Sequence, residues 1–268
     1  MLKDITIGQY FPGDSLIHRL DPRFKIVMTV IYICMLFTGS TFPCLIVGAV
    51  FTFMAMLLSR IPLKMFFRSV KPLLPFLIIT ALLNLLLVNN GDTVFEWKFV
   101  KITEGGINVS VFMIVRILLL IMGTSLLTYT TSPITLTDAL ERLLSPLKKL
   151  RFPVHELAMM MSIALRFIPT LIEETEKIMS AQKARGAEID TGSFMTRIRN
   201  MISIMVPLFI SSFRRADELA TAMECRCYNG GEGRTRLRQL KSAPRDYIAL
   251  AVTVIFLAAA IAVAKLTK

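Results

Sequence analysis

The chain has few of the residues that bind metals or form disulfides. Its 268 residues include two histidines, His18 and His155, and four cysteines. Cys225 and Cys227 are separated by a single residue, whereas a structural zinc site uses four ligands, usually with at least two residues inside each pair. Four cysteines in a chain of this size also do not indicate a framework of disulfide bonds. We therefore expect neither a metal site nor a cofactor.

Catalytic signatures are missing as well. The sequence contains no G-x-x-x-x-G-K-[ST] phosphate loop, no H-E-x-x-H and no G-x-S-x-G. The segment Gly230–Thr235 resembles a phosphate loop only faintly, because it lacks the spacing, the lysine and a preceding strand. The prediction is a non-catalytic protein, which must take any energy it uses from a partner.

Charged residues are scarce, at 19%, while hydrophobic residues make up 54% and the mean hydropathy is +0.62. Such a composition is too apolar for an ordinary soluble domain. The net charge of +12 would suit nucleic acid. However, Lys and Arg cluster at the ends of apolar blocks, and no basic stripe is interleaved with aromatic residues. The expected surroundings are therefore a lipid bilayer, and nucleic acid is not an expected partner.

Five apolar blocks have the length and composition of membrane spans, two of them rather short. They are Phe24–Thr38, Pro43–Leu58, Leu73–Val88, Ile107–Tyr129 and Tyr247–Ala264. The cations between the second and third blocks, and those before the fifth, place these connections in the cytoplasm by the positive-inside rule. We therefore predict a multi-pass protein of the cell membrane with a cytoplasmic N-terminus and an external loop at Asn89–Gly106.

The stretch between the fourth and fifth blocks is charged and amphipathic. The predicted fold is all-α, with a four-span domain at residues 1–130, a cytosolic domain of amphipathic helices at 131–245 and a last span at 246–268. The cytosolic part should hold a short helix from Pro133 and two long helices, about His155–Ala184 and Arg197–Tyr228. Each long helix begins apolar and rich in methionine, contains a proline that should kink it, and ends charged.

Both long helices end on an arginine between small residues. The motifs are Ala184-Arg185-Gly186 and Cys225-Arg226-Cys227. Small neighbours let a helix end enter a groove while the guanidinium, a planar fork of donors, pairs with a carboxylate there. An arginine at one helix end can simply offset the helix dipole. Two ends of the same design favour docking into two pockets of a dimeric partner.

Arg116 lies deep in the fourth apolar block. An ionisable residue within a span is a functional candidate, unless the span begins later and leaves it near an interface. The sequence indicates no partner for it.

Several segments together resemble the transmembrane (T) component of energy-coupling factor transporters, prokaryotic importers of vitamins and metal ions. They are Gly13–Lys25, Ala164–Pro169, Ala181–Gly186, Arg214–Ala220 and Cys225–Tyr228. The resemblance covers essentially the full length. It differs at Cys225 and Cys227, where the family more often has Ala or Gly.

This resemblance implies three partners besides the bilayer: two cytoplasmic ABC ATPases and a small membrane protein, the S component, which binds the substrate. Ala184, Arg185, Gly186, Cys225, Arg226 and Cys227 would contact the ATPases. ATP-driven movement of the ATPases would then pass through the two long helices to the S component.

Two other function classes remain open. An intramembrane enzyme acting on a lipid-like substrate would need a catalytic group, and the best available set is Arg116 with Asp138, Glu141 or His155, which lacks a nucleophile. A self-sufficient transporter or channel would need inverted repeats or paired polar breaks in its spans, which the sequence does not have.

Overall fold

The chain is largely helical. A computed structural model describes residues 10–39, 41–88, 92–97, 100–150, 152–187, 193–230 and 241–267. The helices are α1 Pro22–Thr38, α2 Phe42–Ser59, α3 Leu63–Val70, α4 Leu74–Leu87, α5 Glu104–Thr130, α6 Pro133–Leu143, α7 Val154–Ala184, α8 Phe194–Cys225 and α9 Pro244–Leu266. Short 3-10 turns cover Lys71–Leu73 and Ser145–Leu150, and strands β1 Thr93–Trp97 and β2 Val100–Thr103 form a hairpin. The predicted all-α polytopic fold is confirmed.

Five helical stretches of the described chain are long and apolar enough to cross a membrane. They are Phe42–Ser59, Leu63–Leu87, Glu104–Thr130, Val154–Ala184 and Pro244–Leu266. The number agrees with the sequence prediction, but the set differs. The 17-residue α1 is shorter than these five, and the apolar first half of α7 gives that helix the composition of a span. The predicted third span also begins earlier, because α3 and α4 are joined by a helical turn.

The described residues divide into two compact units. We call Gly8–Leu136 together with Leu240–Lys268 the membrane unit, and Thr137–Gln239 the insert. In the membrane unit, α1 packs against α2, α5 and α9, while α4 packs against α5. In the insert, α7 packs against α8.

Tyr32 lies at the centre of the membrane unit. Its ring is 2% exposed and belongs to a core formed by α1, α2, α5 and α9. Its hydroxyl donates to the carbonyl of Leu119 at 2.7 Å and is hydrogen-bonded to Thr52. Gly123 makes room for the ring, because a Cβ there would lie 2.2 Å from it. This packing fixes α1 against α5 although α1 is short.

The predicted external loop at Asn89–Gly106 is partly structured. β1 and β2 pair in antiparallel fashion, with Trp97 opposite Val100 and Thr93 opposite Thr103, and α5 begins already at Glu104. The sequence prediction of a loop did not take into account the β-branched and aromatic residues of this segment, which favour strands. Residues 89–91, 98 and 99 of this loop lie outside the described chain.

A buried charge cluster, formed by Asp21, Arg23, Lys25 and Asp246, joins distant parts of the membrane unit. Asp246, at the start of α9, accepts hydrogen bonds from the backbone N–H of Asp21 at 2.9 Å and of Ala243 at 2.7 Å. Asp21 caps α1 and pairs with the Arg23 guanidinium at 2.5 Å.

Lys25 extends this cluster to the end of α5. Its ammonium donates to the carbonyl of Thr130 at 2.9 Å and to the His18 carbonyl and the Thr131 hydroxyl, both at 3.3 Å. All three donors of the buried ammonium are therefore used. The cluster connects the N-terminal segment, α5 and α9 at one end of the unit.

We expect Lys25→Met to destabilise the protein by about 1.5–3 kcal/mol, because buried carbonyl groups lose a charged donor. Thermal unfolding of the purified protein in detergent measures this. The matched control is Lys64→Met, which removes an exposed cation from α3 and should change stability little. A K25M protein as stable as K64M would contradict the assignment.

Candidate functional site: two arginine-capped helix ends

The two long helices of the insert run antiparallel. Tyr228, just after α8, contacts Met159 near the start of α7, and Gln182 near the end of α7 contacts Ser203 in the first half of α8. Between them Glu174 binds Ser211 and Arg215. Successive contacts along α7 therefore involve progressively earlier residues of α8. The two arginine motifs consequently lie at opposite ends of the helix pair, about 40 Å apart along its axis at 1.5 Å per residue.

The end of α7 has a defined cap geometry. Ala184 is the last helical residue and Arg185 is the C-cap. The N–H of Gly186 donates to the Lys183 carbonyl, and the N–H of Ala187 to the Gln182 carbonyl, both at 3.0 Å. Gly186 has φ +86°, in the left-handed region. These features define a Schellman motif, which satisfies the last carbonyl groups of the helix.

The end of α8 repeats this geometry at every position. Arg226 is the C-cap. The N–H of Cys227 donates to the Glu224 carbonyl at 2.8 Å, and that of Tyr228 to the Met223 carbonyl at 3.0 Å. Cys227 occupies the left-handed position with φ 55°. The similarity that the sequence indicated is therefore a similarity of backbone conformation, with the arginine at the same place in both caps.

Both caps face solvent. All six residues predicted as the site, Ala184, Arg185, Gly186, Cys225, Arg226 and Cys227, are exposed. Among the described residues, the salt bridges of the insert do not involve Arg185 or Arg226. Each arginine is the C-cap residue at the carbonyl end of its helix dipole, where a cation is stabilised. Each can still donate a bidentate pair of hydrogen bonds to an external carboxylate.

Polar contacts hold the helix pair together near both caps. In a regular helix the backbone N–H of residue 207 would donate to the carbonyl of Ser203, which lies four residues earlier. Pro207 has no N–H and cannot make this bond. The Gln182 side chain donates to that carbonyl instead, at 3.3 Å. At the other end the Tyr228 hydroxyl donates to the Met159 sulfur at 3.0 Å. Gln182 and Tyr228 also supply backbone groups to the two caps, so cap and helix contact are linked at each end.

Glu174 forms the contact in the middle, in the charged second half of α7. The Ser211 hydroxyl donates to its carboxylate and Arg215 pairs with it at 2.5 Å. The sequence did not predict Gln182, Tyr228 or Glu174 as functional, because only the antiparallel pairing brings their partners near.

One face of α8 is apolar and exposed. Its large side chains recur at spacings of three and four residues, and Phe209, Ile210 and Met201 are each more than 60% exposed. We call this surface the α8 apolar face; it comprises Met195, Ile198, Met201, Ile202, Met205, Val206, Phe209, Ile210 and Phe213. An exposed apolar area of this kind marks an interaction site.

Arg116 has a structural partner in the membrane unit. Its guanidinium donates to the carbonyl of Gly39 at 2.5 Å and lies over the rings of Phe112, at 4.4 Å, and Phe37, at 5.3 Å. Gly39 is the C-cap of α1. Arg116 therefore caps a neighbouring helix, which the sequence could not show because the two residues are 77 positions apart. Glu141 and His155 pair with each other in the insert at 3.0 Å.

These features define a multi-pass membrane protein with a helical insert that presents two matched caps. A sequence profile of the family described as "Cobalt transport protein" matches residues 13–237. The chain is 51% identical over 250 residues to a Clostridium kluyveri protein, with 93% of each chain covered. It is 49% identical to a Ruminiclostridium cellulolyticum protein, with 96% of each covered, and 45% identical to a Bacillus subtilis protein, with 97% of each covered.

All three relatives carry the name energy-coupling factor transporter transmembrane protein EcfT. The chain therefore belongs to this family of transporter membrane components, which confirms the resemblance drawn from the sequence.

The difference between the two caps leads to a stability prediction. A non-glycine residue in the left-handed region costs about 1–2 kcal/mol, so Cys227→Gly should stabilise the insert by up to about 1 kcal/mol after the added freedom of the unfolded chain. Gly186→Cys should destabilise it. Thermal unfolding in detergent compares these variants with Cys225→Gly, a control in the last helical position that should not stabilise. Stabilisation by both cysteine-to-glycine changes would contradict the cap assignment.

Proposed function

We propose that this chain couples ATP hydrolysis by two cytoplasmic ABC ATPases to the movement of a membrane-embedded S component that imports a vitamin or a metal ion. One observation carries the proposal: the two exposed arginine caps have the same geometry and lie at opposite ends of one antiparallel helix pair. The chain itself would be the non-catalytic subunit, with ATP hydrolysis in its partners.

The antiparallel arrangement suits a two-fold partner. Two antiparallel helices of like design are related by an approximate two-fold axis perpendicular to both, so the caps are presented in equivalent orientations. A pair of related ATPases has the same symmetry and offers two equivalent grooves. Arg185 would enter one groove and Arg226 the other, each pairing with a carboxylate between small flanking residues.

A coupling protein needs a second surface for the S component, and the α8 apolar face supports that role. None of its residues belongs to either arginine motif, and an apolar surface suits a partner that is itself membrane-embedded. Three of its residues, Met195, Met201 and Met205, carry flexible thioethers. Such side chains can repack against S components of different shape.

The orientation we propose places the N-terminus in the cytoplasm. Arg60, Lys64 and Arg68 follow α2 at the end of the membrane unit where Phe66 packs on Tyr129. Thr130, which binds Lys25 beside the N-terminal segment, lies at the same end. By the positive-inside rule this end faces the cytoplasm.

The docking proposal predicts that Arg185→Ala and Arg226→Ala together abolish co-purification of the ATPases and substrate uptake, while membrane insertion stays normal. A central interface arginine contributes about 2 kcal/mol or more, so each single variant should weaken binding by roughly 30-fold. Affinity purification from host membranes, with mass spectrometry of the bound subunits, measures this.

The matched control for the double variant is Arg214→Ala, which removes an exposed arginine of α8 away from either cap. Its side chain is 82% exposed and, among the described residues, pairs with Glu218 of the same helix. This variant should keep both ATPases. Undiminished ATPase binding and uptake in the double variant would refute the docking role.

The role of the α8 apolar face is tested separately by the double variant Ile202→Gln and Phe209→Gln. It should lose the S component, because apolar contact area is removed, and keep both ATPases. Arg199→Gln, an exposed polar position of the same helix, is the control. Loss of the ATPases instead of the S component would contradict the separation of the two surfaces.

A further inference from the structure

The membrane unit contains a cavity of about 420 Å³, a volume within the range of small-molecule sites. It lies between the N-terminal segment and helices α1, α2, α5 and α9. Apart from Lys25 and Arg245, its lining is uncharged and largely aliphatic, with Met28, Ala55, Leu127 and Val252 as examples.

The hydroxyl groups that line the cavity are already engaged within the protein. Each forms a hydrogen bond to a backbone carbonyl group; the set is Thr29, Tyr32, Thr52, Thr130 and Thr253. These O–H groups therefore have no hydrogen left to donate to a ligand. A cavity with such a wall excludes water and favours hydrocarbon.

Charge is confined to one end. The buried charge cluster balances itself: Arg23 pairs with Asp21, and Lys25 lies within the fields of Asp21 and Asp246. Arg245 is exposed, lines the cavity, and has no ion-pair partner among the described residues. Among the described residues that line the cavity, Arg245 is thus the exposed cation without an ion-pair partner.

The same end is open to the surroundings. Leu16, Leu58 and Ile248 line the cavity and are 66%, 43% and 64% exposed. From Arg245 to Thr253 the cavity extends for eight residues of α9, or about 12 Å. This depth is close to one leaflet of a hydrocarbon core of roughly 30 Å.

We propose that the cavity holds one acyl chain of an anionic phospholipid, with the lipid phosphate paired to Arg245. The apolar wall favours an acyl chain, and the depth of the cavity matches a single leaflet. Arg245 at the open end, which pairs with no described residue, favours a negative headgroup. The site is independent of the arginine caps and of any ATPase. It would belong to the cytoplasmic leaflet in the orientation proposed above, and the experiment does not depend on that orientation.

The test uses the full chain reconstituted into vesicles of equal parts phosphatidylglycerol and phosphatidylcholine, then extracted in mild detergent. Native mass spectrometry counts the lipids retained. The wild-type protein should keep one phosphatidylglycerol, preferred about fivefold over phosphatidylcholine, the factor expected for one cation near a lipid headgroup. Arg245→Gln should retain lipid without this preference, and Ala249→Phe, which fills the cavity, should retain none.

Arg60→Gln is the matched control, because Arg60 is an exposed cation at the end of α2 and does not line the cavity. It should behave as wild type. The proposal is overturned if the wild-type protein retains no lipid, if it retains both lipids equally, or if R245Q keeps the preference. A folded A249F protein that still holds lipid also overturns it; if A249F does not fold, the comparison of R245Q with R60Q decides.

Discussion

The antiparallel pairing of α7 with α8 is the constraint on which the candidate site depends. If the two helices ran parallel, both arginine caps would lie together at one end of the pair. Contacts at three levels, through Met159, Glu174 and Gln182, set the pairing. Because Gln182 and Tyr228 take part both in these contacts and in the caps, a change at one cap is linked mechanically to the helix interface beside it.

Pro207 has a role in this pairing of the two helices. By lacking an N–H it leaves the carbonyl of Ser203 free, and Gln182 of the other helix uses that carbonyl. An apolar helix half otherwise offers few polar groups to a neighbour. The proline thus leaves a backbone carbonyl available as a hydrogen-bond acceptor in a segment whose side chains are mostly hydrophobic.

In the membrane unit, the short first helix α1 is attached to its neighbours at both of its ends. At one end the buried charge cluster attaches α1 to α5 and α9, and at the other end Arg116 of α5 reaches down to cap α1 at Gly39. Both attachments use charged groups that form hydrogen bonds to backbone groups of the protein, which lowers the cost of a charge in the low dielectric of a membrane interior. The cavity beside α1 is bounded by the same elements, and Arg245, which has no ion-pair partner among the described residues, adds an exposed charge at one end.

Much of the fold could be predicted from local signals. The apolar blocks and the amphipathic stretches between them located the helices of the described chain within a few residues, apart from the short α3. The hairpin at Thr93–Thr103 was missed because charge and polarity suggested a loop, although its β-branched and aromatic residues favour strands. The two arginine motifs also stand out in the sequence, because their composition is unusual in itself, and their role as a binding site stays a prediction.

Contacts between distant residues could not be predicted in this way. Arg116 with Gly39, Asp21 with Asp246 and Gln182 with Ser203 carry no signal in the local sequence, because each pair forms only after helices pack. The sequence alone determined that two helices end on arginines between small residues. Only the tertiary structure decided that these ends point apart, since the direction in which two helices pair depends on side-chain contacts along their whole length.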